Sequence, residues 1–144
     1  MLFCDGSVDP FGPKCVRSSA GSVFRLAVTR QGSSDEALAA VAAAGLRPVA
    51  TLAHGAQPYD AADLAGPVAL VLGSEAHGLP RAVVDAVDEV VTIPMAGRTE
   101  SLNVGMAGTV LCFEALRQRR ARRAGSPTNR LDEMPPRAAG CTTT

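Results

Sequence analysis

Along this chain, apolar positions recur with two different periods, and glycine, proline and serine cut one kind of segment from the next. Residues 22–28 (SVFRLAV) suit a short strand or a buried turn. Ser33–Gly45 (SSDEALAAVAAAG) reads as a helix with Ser33 or Ser34 as N-cap. Asp35 and Glu36 fall in its first turn, where the dipole favours anions, and Gly45 sits at its C-terminal end. Residues 47–53 (RPVATLA) form a strand pattern, and 54–67 is loop with room for one helical turn. The apolar, β-branched run 68–73 (VALVLG) is that of a central parallel strand covered on both faces. Pro80–Ala86 predicts a short helix and 89–95 (EVVTIPM) another strand. The longest helix runs from Ser101 to about Arg123, with Leu102, Met106, Val110, Phe113 and Leu116 as its apolar face.

This alternation is the pattern of an α/β fold with a parallel sheet and flanking helices. The 144 residues leave room for one domain, assigned to 1–123. From Gly125 on, Pro and Gly rise and the periodicity stops, so 124–144 is expected to be a disordered basic tail. At 47% apolar and 19% charged the chain has ordinary globular composition. It carries no apolar run long enough to span a bilayer and no basic-then-apolar leader, which predicts a soluble, cytoplasmic protein with no membrane partner.

Composition also narrows the chemistry. Cys4, Cys15, Cys112 and Cys141 form no C-x-x-C pair and His54 and His77 stand alone, which argues against a disulfide framework and against a metal site. With no Trp, four Phe and one Tyr, a platform of interleaved aromatics for single-stranded bases lacks parts. The zero net charge hides an asymmetry: from Arg117 onward there are seven arginines and two acids, against seven basic and twelve acidic residues before it. Such a run is either a solvated helix end or a phosphate-contacting surface.

Ligands of parallel sheets gather at the carboxyl ends of the strands. Three polar, glycine-containing turns follow strands here: Leu52–Ala56, Gly73–Pro80 and Ile93–Asn103. In GSEAHGLP, Gly73 and Gly78 permit close approach of backbone to a ligand around Ser74, Glu75 and His77. No G-x-G-x-x-G and no G-x-x-x-x-G-K-[ST] occurs, so nicotinamide and nucleoside triphosphate readings lose their usual motif. The third turn leads through Ser101 and Asn103 into a helix start rich in small residues, Gly105, Ala107 and Gly108. Ser101 reads equally as a plain N-cap, and the small residues as plain packing against the sheet.

VALVLGSEAHGLP followed by VVTIPMAGRTESLNVGMAGTVLCFEALRQR resembles motifs 2 and 3 of the SpoU/TrmH family of RNA 2'-O-ribose methyltransferases. These belong to the SPOUT class, whose C-terminal part forms a deep trefoil knot. The likeness extends upstream through GSVDPFGPKCVRSSAGSVFRLAV and covers about Asp5 to Arg119. It implies S-adenosylmethionine held in the knot by the loops Thr51–Gly55, Gly73–Gly78 and Ile93–Leu102. The cofactor-binding set it implies is Thr51, Leu52, Gly55, Gly73, Glu75, Gly78, Ile93, Met95, Ser101 and Leu102, largely through backbone groups. Glu75, Ser101 and Asn103 match the polar signature residues and are the candidate catalytic side chains, although none is an obvious strong base. Asn103 could bond across the knot, and Ser101 could cap the helix or meet the substrate. The family's motif 1, an Asn and an Arg on the first strand and helix, has no counterpart, since Met1–Cys4 reads as the tail of the next strand.

The leading expectation is therefore S-adenosylmethionine-dependent 2'-O-methylation of a ribose in structured rRNA or tRNA. RNA contacts are expected from Arg17, Arg25, Arg119, Arg120 and Arg123, and a homodimer from close packing at Gly105–Gly108. The alternative is a knot domain that binds cofactor and dimerises without turnover. A small-molecule α/β enzyme would need a nucleophile and base that the sequence does not offer.

Overall fold

In a computed structural model, the described residues are 1–74, 77–96 and 101–125. Two short parallel strands, β1 (Leu2–Phe3) and β2 (Thr29–Arg30), form a small sheet of their own. Between them lie helix α1 (Pro13–Ser18) and a 3-10 turn, Ser22–Arg25, where the sequence suggested a strand or buried turn. Helix α2 (Ser34–Ala43) opens with a reciprocal cap: Ser33 Oγ accepts from Glu36 N–H, and the Glu36 carboxylate accepts from Ser33 N–H.

The main sheet is parallel and four-stranded, in the order β4 (Gln57–Pro58), β6 (Glu89–Thr92), β3 (Arg47–Leu52), β5 (Val68–Val71). One expectation fails here. The apolar run at 68–71 occupies the sheet edge and is half-buried, and the central positions go to β3 and β6. A continuous apolar run marks burial on two faces, but lateral position depends on the order in which later strands are inserted, which hydrophobicity does not encode.

β6 arrives last and lies between β3 and β4, so the link 53–56 joining those two strands crosses the end of β6. Thr92 is fastened to both sides of that link. Its Oγ1 donates to Ala53 O (2.9 Å) and its carbonyl accepts from Tyr59 N–H (2.9 Å).

Helix α3 (Arg81–Ala86) starts directly after Pro80, and α2 packs against it and β3. Helix α4 (Val104–Gly125) covers the opposite face, where Leu111 and Ala115 join Val49, Val91, Ala62 and Leu64 in the core. Because α4 continues to Gly125, a boundary at 123 falls inside its last turn. Of the tail expected at 124–144, residues 126–144 lie outside the described residues.

Helix α4 is rotated from the expected orientation. Its buried residues are Ala107, Leu111, Glu114 and Ala115, whereas Met106, Phe113 and Leu116 are exposed. The helix carries two apolar stripes, and the one with small side chains lies on the sheet. A Cβ at Gly108 would stand 2.9 Å from Leu72 Cδ1, so glycine there lets the helix close on the residue after β5. Polar members of the buried stripe are matched: the Gln118 amide donates to Ala62 O and Glu114 and accepts from Leu64 N–H.

Glu114 also takes two hydrogen bonds from Arg117, both 2.7 Å, and these, with Gln118, lower its pKa to about 2. The ordinary value is 4.5, so the depressed folded value means stability present above pH 4.5 and lost as pH falls from there toward 2. Because Arg117 faces water, the expected contribution is on the order of 1–2 kcal/mol. Thermal melts of wild type and Glu114→Gln should differ at pH 7 and draw together as pH falls toward 2. A constant difference across that range would mean that the carboxylate charge is not what holds the residue.

Candidate functional site

Strand register brings the three polar turns to one edge. Val71 is opposite Ala50, and Thr92 is opposite Leu52. The neighbouring strands β5, β3 and β6 therefore release the segments that begin at 72, 53 and 93 on the same side of the sheet. β5 and β6 are not adjacent, and the short turn after β3 stands between the two longer ones.

The turn after β5 closes on itself. Ser74 N–H donates to Gly78 O (3.1 Å) and Gly78 N–H to Ser74 O (2.9 Å), while Ser74 Oγ accepts from His77 N–H (3.1 Å). Gly78 has φ +65°, which disfavours a side chain. At Gly73 an added Cβ would lie 2.4 Å from Gly78 C and 2.7 Å from Leu79 N. Glycine at 73 is thus required by the turn's own backbone, a stricter reason than room for a ligand. Gly55, with φ +78°, makes a similar left-handed corner after β3.

Thr51 ends the buried stretch of β3 and shares the face of Val49, toward α4. Its Oγ1 is buried and has no hydrogen-bond partner among the described residues. A buried hydroxyl left unpaired costs about 1–3 kcal/mol, so this atom calls for a partner. Leu52 and Ile93 are half-buried beside it in register, Ile93 packing on the core, and Met95 and Leu102 are half-buried farther along. Leu52, next along β3, turns to the opposite face of the sheet from Thr51.

Of the candidate catalytic residues, Glu75 lies outside the described residues, as do 97–100. Ser101 is exposed, and it does not cap α4. Asn103 does: its Oδ1 accepts from Gly105 N–H (2.9 Å) and Met106 N–H (3.3 Å).

The candidate RNA-contacting arginines separate into two groups in space. Arg17 and Arg25 are exposed on α1 and the 3-10 turn, and the others are on α4. Arg119 donates to the carbonyls of Ala65 (3.3 Å) and Gly66 (3.1 Å), and Arg122 pairs with Asp63 at 2.7 Å. Arg120 and Arg123 make no ion pair or side-chain hydrogen bond among the described residues. Sequence reasoning missed the Glu114–Gln118 clamp. Its signal was the spacing of Ala107, Leu111, Ala115 and Gln118, a second helical stripe ending in a residue with both a donor and an acceptor.

Residues 1–113 match the SpoU rRNA Methylase family. A protein of Mycolicibacterium vanbaalenii named as an uncharacterized tRNA/rRNA methyltransferase is 47% identical over 105 residues, which are 73% of this chain and 33% of that protein. The crystal structure of an RNA 2'-O ribose methyltransferase superposes with TM-score 0.72 at 39% identity, over 82% of this chain and 46% of its own. The SpoU methyltransferase AviRb from Streptomyces viridochromogenes, solved in complex with AdoMet, gives TM-score 0.77 at 36% identity, over 83% and 49%. The chain thus spans about a third of the length of the curated relatives it matches.

Proposed function

The chain belongs to the SpoU rRNA methylase family, and from that membership we propose that it binds S-adenosylmethionine at the three turns and methylates a ribose 2'-hydroxyl in structured rRNA or tRNA. The observation that carries this reading is that three neighbouring parallel strands deliver their polar turns to one edge of the sheet, with the orphaned Thr51 hydroxyl one residue before the end of β3. The residues present fit a flat, mostly apolar ligand with a few hydrogen-bonding groups. Backbone at Leu52, Gly73, Ile93 and Leu102 faces it, Gly55 and Gly78 shape the corners, Met95 adds apolar wall, and Thr51 meets a polar atom. Glu75 and Ser101 complete the proposed set.

When bound, S-adenosylmethionine supplies an electrophilic methyl group. The protein's part is to bring the ribose oxygen into line with it, a positioning role that supplies much of the rate. Ser101 and Asn103 are neutral side chains, so their contribution is to orient the hydroxyl and hold the start of α4. Arg120 and Arg123, which make no ion pair among the described residues, would meet RNA phosphate together with Arg17 and Arg25, while Arg119 braces the loop before β5. The crossing of link 53–56 over the end of β6 is read as one strand of the expected trefoil knot. Residues 1–123 would make up the methyltransferase domain, working in the cytoplasm. A homodimer would cover the outward stripe of α4, Met106, Val110 and Phe113, and not the Gly105–Gly108 face expected from the sequence, because Ala107 and Gly108 lie against the sheet. That stripe borders a depression of about 350 Å³ lined by Tyr59, Thr109 and Arg117.

Calorimetry with S-adenosylhomocysteine tests the site. Wild type should bind, and Thr51→Val should bind about tenfold more weakly while melting at a higher temperature without ligand, because valine removes an unpaired polar atom. Absence of binding by folded wild type would sink the reading. Transfer of labelled methyl from S-adenosylmethionine to tRNA or rRNA, at a nucleotide that then resists alkaline cleavage, tests the chemistry.

A further inference from the structure

The chain has five aromatic residues, too few for an interleaved platform, yet the fold brings two of them together. The rings of Phe11 and Phe24 stack with centroids 6.3 Å apart and planes 23° from parallel. Neither is in the core: Phe11 is 52% exposed and Phe24 68%, and the nearby residues Val8 and Leu26 are also exposed. Two successive left-handed residues, Ala20 (φ 48°) and Gly21 (φ 81°), separate α1 from the 3-10 turn that carries Phe24. Alanine in that region is strained, and such strain persists where surrounding structure over-determines it. On the other side, Asp9 Oδ1 accepts from Phe11 N–H (3.2 Å) and pairs with Arg30 (3.1 Å), which fixes the loop and neutralises its acid.

Three cations lie on α1 and the 3-10 turn, next to the pair in the chain. Lys14 and Arg17 stand about one turn apart on α1, and Arg25 follows Phe24 directly. None of the three makes an ion pair or side-chain hydrogen bond among the described residues. Flat aromatic faces in water flanked by unmatched positive charge are complementary to a nucleobase between phosphates. We propose that Phe11 and Phe24, with Lys14, Arg17 and Arg25, form a stacking site for an unpaired base of the RNA substrate. This rests on the RNA reading above, and adds that the substrate presents a single-stranded base to this end of the molecule.

The test compares two RNAs, a hairpin with an unpaired loop of about eight nucleotides and a blunt duplex of the same composition. Phe11→Leu with Phe24→Leu keeps apolar area while removing the stacking faces, and S-adenosylhomocysteine affinity and thermal melting check that the fold survives. The double variant should bind the hairpin at least about tenfold more weakly and the duplex within about twofold of wild type. Equal losses on both RNAs, or none on either, would overturn the stacking site. Unchanged RNA affinity with a fall in mass by light scattering would assign the patch to a second protein copy instead. If wild type binds neither RNA, the RNA reading itself is wrong and the stacking site falls with it.

Discussion

Replacing Gly73 by alanine is expected to remove S-adenosylhomocysteine binding, with affinity falling at least about a hundredfold. The added methyl would overlap three backbone atoms of Gly78 and Leu79 at 2.4–2.7 Å, and backbone cannot swing aside as a side chain can. The paired bonds between Ser74 and Gly78 would break, and the groups proposed to face the ligand would lose their positions together. Gly66→Ala is the control, since a Cβ there meets nothing within 4 Å. The measurement is calorimetry on samples matched by circular dichroism. Near-wild-type affinity in Gly73→Ala would mean either that the ligand does not use this turn or that the turn opens without consequence.

A second large effect is expected in the core. Leu111 is fully buried and packs with Val49, Val91 and Leu64, so Leu111→Ala should cost about 2–5 kcal/mol, a sizeable share of the stability of a small domain. Phe113, two positions on, is 67% exposed, and Phe113→Ala should fall within about 0.5 kcal/mol in the monomer. Urea unfolding of the two variants fixes which stripe of α4 faces the sheet. If Phe113→Ala proves the costlier change at protein concentrations where the chain is monomeric, the helix sits in the orientation that its larger apolar residues suggested.

That comparison also shows where sequence reading succeeded and where it stopped. The cap of α2 was legible because Ser33 and Glu36 bond only to backbone a turn away. The three turns were legible as a set, because in an all-parallel sheet every strand delivers its carboxyl end to one edge. The rotation of α4 was not. Met106, Val110 and Phe113 outrank Ala107, Leu111 and Ala115 in hydrophobicity, but the bonds of Gln118 to Ala62 and Leu64 fasten the other stripe to the core, and these partners lie far away in sequence. Asn103 rather than Ser101 as the cap of α4 is a smaller error of the same origin, since both residues suit the role locally.

The insertion of β6 between β3 and β4 bears on how the chain must assemble. In a nascent chain β3 and β4 emerge first, separated by four residues, and the cheapest contact open to them is with each other. That contact is non-native and would fill the space that β6 needs. The competing hairpin is poorly specified: β4 has only two residues, one of them Pro58, which has no N–H to give to a ladder. A strand too short and too poor in donors to zip onto its sequence neighbour leaves the slot open for a partner made some thirty residues later. Brevity in β4 thus acts as protection against a kinetic trap.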